Sequence, residues 1–368
     1  MDKILKIVVF FVIISSAGAY ALSYEEWKAK KQASYKNYQQ EYRARYSEFK
    51  NKVTAKWGDK TQLSGQHQYV IYSDDLEQRT ILDYQANEIV VESLGDQPAN
   101  VQKALSALEK TSVNQALAAD PVIDKVNINK PSNSLLNTMG ATDVDEIAAG
   151  QIVETDVAQV DAVDTVNQAT SKRINRIRLD LPEDVFVKRA EPFLSSAKQM
   201  SEKYDIDQNL ILAIAQTESS FNPMAQSPIP AFGLMQIVPT SAGLDVNQAL
   251  KNKDQTPQAS LLFQPDDNIE FGAGYLHLLE TRYLKGIEDE KSRLYCMIAA
   301  YNTGAGNVAS VFHPDGRKVI NPAVDVINDL TPEEVYQRLV EDLPYEETQL
   351  YLQKVTKALG QYQSASLI

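Results

Sequence analysis

The sequence predicts an α+β protein, in which a mainly α-helical domain over residues 182–368 follows a smaller N-terminal module that mixes helix and strand. Three observations predict it. From Lys172 onward, apolar residues recur at helical spacing in segments whose ends carry Pro or Gly. Between Tyr69 and Glu92, short β-branched and aromatic runs are separated by turn-prone residues. Ahead of them, Tyr24, Trp27, Tyr35, Tyr38, Tyr42, Tyr46, Phe49, Val53 and Trp57 fall at intervals of three, four or eight, which places them on one face of a helix. With 368 residues, the chain exceeds the roughly 100–200 residues of one domain, so two are expected.

Residues 1–21 have the three parts of a secretory signal: Lys3 and Lys6, the apolar run Ile7 to Ile14, and small residues up to Ala19 and Ala21, either of which suits cleavage. The apolar run is shorter than the roughly 20 residues that cross a bilayer, so export is expected rather than anchoring. The single cysteine, Cys296, is far from the signal, so the N-terminus is read as not lipidated, and an intramolecular disulfide is excluded.

Residues 22–140 form the expected module: a long aromatic and basic helix ended by Gly58, two or three antiparallel strands, and a helix from Asn100 to Leu117. Ser23–Lys60 carries ten Lys/Arg against five Asp/Glu. Two readings of that helix stay open. It packs its aromatic stripe on its own domain, or it lies on anionic lipid or the cell wall. Residues 141–181 read as an acidic linker or mobile segment, because Ala141–Ser171 holds seven acidic residues, no basic one and no aromatic. The net charge of -13 excludes a general nucleic-acid binder.

Within the helical domain, Asp205 or Asp207 caps a helix whose body, Leu210 to Ala215, is apolar all round and therefore buried. Its last turn holds Glu218. A carboxylate at the C-terminal end of a buried helix is disfavoured as an anion by the helix dipole and by desolvation. Both effects raise its pKa, as a general acid working near neutral pH requires. No metal or cofactor is called for. His67, His277 and His313 are scattered, one cysteine cannot build a metal site, and the Gly-x-Gly pairs at 272–274 and 304–306 lack the third glycine of a phosphate loop.

Five ordered blocks then stand out: Glu218 to Ser227 (ESSFNPMAQS), Ala231 to Ile237 (AFGLMQI), Asn268 to Leu276 (NIEFGAGYL), Ala299 to Gly306 (AAYNTGAG) and Glu347 to Leu352 (ETQLYL). Together they resemble the soluble-lytic-transglycosylase type of catalytic domain, of lysozyme-like fold. A looser likeness before residue 180, through the Tyr/Lys-rich helix and Thr80–Tyr84, is to the membrane-bound lytic murein transglycosylase C group. The resemblance implies a periplasmic enzyme of a Gram-negative-type bacterium that cleaves peptidoglycan glycan strands. Cleavage is at MurNAc-β-1,4-GlcNAc bonds and leaves 1,6-anhydromuramic acid ends, with no cofactor. Glu218 matches the acid and then base, while Ser227, Met235, Gln236, Tyr301, Asn302 and Tyr351 match substrate-binding positions. Each of these also has a plainer reading: Tyr301 and Tyr351 as core aromatics, Asn302 as a helix cap and Gln236 as a loop residue. Members of the C group are typically lipoproteins, so the missing cysteine keeps outer-membrane anchoring from being carried over. The alternatives are a hydrolytic muramidase of the same fold and a non-catalytic peptidoglycan-binding protein.

Overall fold

A computed structural model describes residues 24–96, 98–123, 132–141, 152–163, 169–182 and 185–364; the expected signal segment lies outside them. The chain divides into two compact units, Met1–Gln40 and Glu41–Ile368. Helix α1 (Tyr24–Trp57) runs from the first into the second and stops at Gly58, whose φ of 51° costs a residue without Cβ little. In the second unit Tyr42, Val53 and Trp57 are buried, while Arg43, Lys50 and Lys52 are exposed. From Tyr42 to Trp57 the aromatic stripe therefore belongs to the core, so for this stretch the first of the two readings, packing on its own domain, holds.

That core is shared with a five-stranded sheet of order β1-β2-β3-β5-β4, every neighbouring pair antiparallel. The expected strands appear as β1 (Gln68–Tyr72), β2 (Gln78–Asp83) and β3 (Glu88–Leu94). The other two, β4 (Ile152–Val163) and β5 (Ala169–Asp180), occupy most of the stretch expected to be a linker, so that expectation is corrected. An acidic composition misled because strand pairing is made by backbone groups, which acidic residues carry like any others. The register sets Glu154 opposite Arg178 and Asp156 opposite Arg176. β5 also sets Ile174 against Leu94, and both join Val53 and Trp57 in one apolar cluster.

Trp57 is the centre of this cluster. Its indole Nε1 donates to the Leu76 carbonyl at 2.7 Å, and the Arg79 guanidinium lies 3.8 Å over the ring. Arg79 is itself buried and pairs with buried Glu92, whose other oxygen takes Arg176. A buried carboxylate is tolerated only with such full pairing. Trp57→Ala is expected to lower unfolding free energy by about 3–5 kcal/mol in urea titrations; a loss under about 1 kcal/mol would remove Trp57 from the core.

The expected helix from Asn100 is two: α2 (Val101–Lys110), capped by Asn100, and α3 (Val113–Ala119), started afresh by a Ser112–Gln115 capping box. A single turn, α4 (Leu135–Thr138), follows. Beyond β5 the chain is helical: α5 (Val185–Tyr204), α6 (Gln208–Ser219), α7 (Ala242–Leu250), α8 (Ala259–Leu262), α9 (Pro265–Leu278), α10 (Glu290–Thr303), α11 (Ala305–Phe312), α12 (Ile320–Asn328), α13 (Pro332–Asp342) and α14 (Glu346–Ser364). The protein is thus α+β, with the helical part the larger. Helix α6 packs between α14 and α5, and every residue from Leu210 to Ala215 is buried. Among the described residues no helix is long and apolar enough to cross a membrane.

Candidate active site

Helix α6 starts at Asp207, whose carboxylate accepts from the Asn209 amide at 2.8 Å, and it carries Glu218 at its foot. Ser220 and Phe221 then take φ values of 53° and 64°. Two consecutive left-handed residues without a glycine end the helix abruptly and turn the chain back over it. The turn continues through buried Asn222, whose side-chain oxygen accepts from the Met224 amide at 3.0 Å.

Glu218 is 7% exposed. Burial pushes its pKa up to about 8; the nearby Glu347 charge adds to this, and the Tyr351 hydroxyl opposes it. Among the described residues no cation pairs with Glu218, so its neutral form is the one the fold accommodates. Tyr351, on α14, is buried, and its hydroxyl makes no hydrogen bond of ordinary geometry. The polar group it faces is the Glu218 carboxyl, and burial beside that acid holds the phenol protonated.

Around this pair the chain builds a wall from three more elements. Tyr301, on α10, donates to the Met235 carbonyl at 2.9 Å and packs against Tyr275, ring centroids 5.6 Å apart. Met235 is held from its other side, where its amide donates to Asn268 Oδ1 at 2.7 Å. Asn268 spends both amide protons on the carbonyls of Phe232 and Leu262, each at 2.7 Å. Gly233, between them at φ +73°, has no room for a side chain: a Cβ would lie 2.2 Å from the Leu262 oxygen.

Asn302 is more than a helix cap, since its side-chain oxygen accepts from Thr348 Oγ1 at 2.7 Å and ties α10 to α14 one turn below Tyr351. Gly304, at φ 85°, takes the left-handed position that ends α10. Gln236, at φ 46°, donates to the Gly233 carbonyl at 3.0 Å and leaves its buried Oε1 without a partner. Ser227 is partly buried and donates to the Ile229 carbonyl; among the described residues no hydrogen bond joins it to Glu218. The structure thus brings Glu218, Tyr351, Tyr301, Met235 and Asn302 into one connected cluster, and sets Ser227 at the far end of the loop that follows the acid.

Three contributors were not read from the sequence. Glu347 is exposed, yet it stands close enough for its charge to raise Glu218. Tyr42 of α1 donates to the Ser227 carbonyl at 3.0 Å and to Gln226 Oε1 at 3.1 Å, and His67 meets Ser220 Oγ at 3.1 Å. Both reach the acid loop across more than 150 residues, and no local spacing signals such a contact. A cavity of about 220 Å³ also opens beside this loop. Phe221, Pro223, Asn114, Asn137, Phe193 and Gln264 are among the residues that line it, and Glu218 is not. Cys296 is buried in α10, where burial raises its thiol.

Residues 195–323 match the family described as the transglycosylase SLT domain, and residues 35–120 match the N-terminal domain of membrane-bound lytic murein transglycosylase C. A protein of that name from Pectobacterium atrosepticum is 32% identical over 330 residues, covering 86% of this chain and 88% of its own length. One from Salmonella typhimurium is 36% identical over 330 residues, with 86% and 87% covered. A solved lytic transglycosylase from Pseudomonas aeruginosa shares 26% identity at a TM-score of 0.34, over 46% of this chain and 24% of that one. A score that low adds no weight to the sequence matches. Two family models met in chain order, and relatives more than 30% identical over most of their length, place the chain in one family. It belongs to the membrane-bound lytic murein transglycosylase C family and is a lytic transglycosylase.

Proposed function

We propose that Glu218 is the single catalytic carboxylate, acting first as general acid and then as base on MurNAc-β-1,4-GlcNAc bonds of peptidoglycan. The observation that carries this is a carboxyl group buried at the foot of α6, without a cationic partner among the described residues, and facing the phenol of Tyr351. Its proton goes to the glycosidic oxygen as the bond to C1 breaks, and the carboxylate then removes the proton of the muramic acid 6-hydroxyl. That oxygen bonds to C1, so an anhydro ring forms and no water enters. A two-carboxylate glycosidase needs a second acid as nucleophile or water base. The N-acetyl oxygen of the sugar serves instead as the internal nucleophile: it bonds to C1 as the glycosidic oxygen leaves, and that bond breaks when O6 attacks C1, which leaves one carboxylate sufficient. Ser227, Met235, Gln236, Tyr301 and Asn302 line or brace the glycan groove in this reading.

Export to the periplasm follows from the character of residues 1–21. The N-terminal module extends through β5, and the catalytic domain occupies 182–368, with α5 its first helix. The deciding experiment is mass spectrometry of soluble products from purified sacculi. Anhydromuropeptides are expected, whereas reducing ends, heavier by one water, would make the protein a hydrolytic muramidase, and binding without product would deny catalysis.

The pH profile follows from the same site. An acid must hold its proton to donate it, so kcat/KM is expected to fall as pH rises through about 8. Glu347→Gln removes a negative charge that raises Glu218 and is expected to move this limb to lower pH. Tyr351→Phe removes the hydroxyl that lowers Glu218 and is expected to move the limb upward, with a reduced maximal rate. Limbs unmoved in both variants would detach the profile from Glu218.

A further inference from the structure

The turn after Glu218 is held from outside the helical domain. The segment Gly65–Gln66–His67, which leads into β1, meets it at three successive points. The Gln226 amide donates to the Gly65 carbonyl at 3.2 Å, Asn222 Nδ2 donates to the Gln66 carbonyl at 3.1 Å, and His67 Nδ1 lies 3.1 Å from Ser220 Oγ. The His67 ring also reaches the Ser219 carbonyl. The segment is itself fixed to the sheet, because the Tyr84 amide donates to the His67 carbonyl at 2.8 Å.

What the segment holds is a costly conformation. Ser220 and Phe221 are both left-handed and neither is glycine. Such residues each cost on the order of 1 kcal/mol or more and persist only where surrounding contacts over-determine them. Phe221 is fixed by burial and by stacking on Phe193 at 6.0 Å. Ser220 has the imidazole of His67 as the partner of its hydroxyl. The next residue back in the helix but one is Glu218, so a relaxation of Ser220 swings the last turn of α6 and with it the carboxyl relative to Tyr351.

We propose that His67 is a positioning residue for the transglycosylase reaction, clamping the foot of α6 so that the Glu218 carboxyl faces Tyr351; this rests on the reading of Glu218 as the acid. The N-terminal module then completes the active site by bracing the turn beside the acid.

The test uses the full chain and a soluble murein oligosaccharide, with kcat and KM measured separately for wild type, His67→Ala, His67→Gln, Ser220→Ala and the His67→Ala/Ser220→Ala double variant. Glu218→Gln runs beside them. His67→Ala is expected to lower kcat about tenfold or more with KM within about threefold, as misplacement of a reacting group does. Gln, which both donates and accepts, is expected to restore most of the rate. The double variant should be no slower than His67→Ala, since both changes remove one contact. Wild-type kcat in His67→Ala, a loss confined to KM, equal losses in Ala and Gln, or additive losses would each overturn the clamp. Should His67→Ala fail to fold, Ser220→Ala decides, because it keeps the ring in place, and an unchanged kcat there overturns the proposal. Activity surviving in Glu218→Gln would instead refute the acid assignment.

Discussion

Glu218→Gln is expected to lower the release of anhydromuropeptides from sacculi by at least about 100-fold, the lower range for loss of a general acid or base, while making the folded protein more stable at neutral pH. The second half follows from the raised pKa. Below about pH 4.5 the folded and unfolded states both carry the proton, and the carboxyl adds no pH dependence. Between about 4.5 and about 8 the folded state keeps a proton that the unfolded state has released, so stability falls as pH rises. Near pH 7 the accumulated penalty is on the order of 3 kcal/mol. Gln fits the same site, never ionises and escapes it. Unfolding in urea at pH 4 and pH 7 checks this: the variant should gain on wild type between the two, and equal pH dependence would show that Glu218 is ionised in the fold. Loss of activity together with gain of stability is the mark of a group kept for chemistry.

Gly233→Ala is expected to cost roughly 3–5 kcal/mol, combining a left-handed φ with overpacking. The added Cβ would lie 2.2 Å from the Leu262 carbonyl oxygen and 2.4 Å from Asn268 Nδ2, and the oxygen belongs to backbone that cannot swing aside. Asn268 would have to surrender bonds to Phe232, Leu262 and Met235, and Met235 is the carbonyl on which Tyr301 rests. Activity should therefore fall with stability. Gly316→Ala separates the two causes, because Gly316 has φ +67° but open space where its Cβ would go. It is expected to lose only about 1 kcal/mol. Urea midpoints of the two variants give the comparison, and similar losses would mean that packing against Leu262 contributes little.

How far the sequence reached can be judged residue by residue. Leu210 to Ala215 announce a buried helix because apolar side chains on every face leave no side for water, and Glu218 inherits its burial from that helix. Gly58 was legible for a similarly local reason: it sits where the backbone turns left-handed and the first helix ends. The aromatic stripe of α1 fixed a helix and a face but left its partner open, since core and lipid reward the same side chains. Tyr42, Val53 and Trp57 answer to the sheet and the acid loop.

β4 and β5 show where composition fails. A stretch with seven acidic residues and no aromatic was read as a linker or mobile segment, yet strand pairing draws on backbone groups that every residue carries. His67 shows it again, a scattered histidine until the fold sets it 3.1 Å from Ser220.

The sequence by itself determined that residues 24–57 and the apolar stretch from Leu210 are helical, where Glu218 lies on its helix and which family the motifs resemble, because hydrophobic period, caps and glycines act over a few residues. Only the tertiary structure decided how completely Glu218 loses its solvent, that Tyr351 rather than Ser227 faces it, and that the sheet braces the turn beyond it. Those outcomes depend on desolvation and on contacts between residues far apart in the chain, and neither is encoded in any short stretch of it.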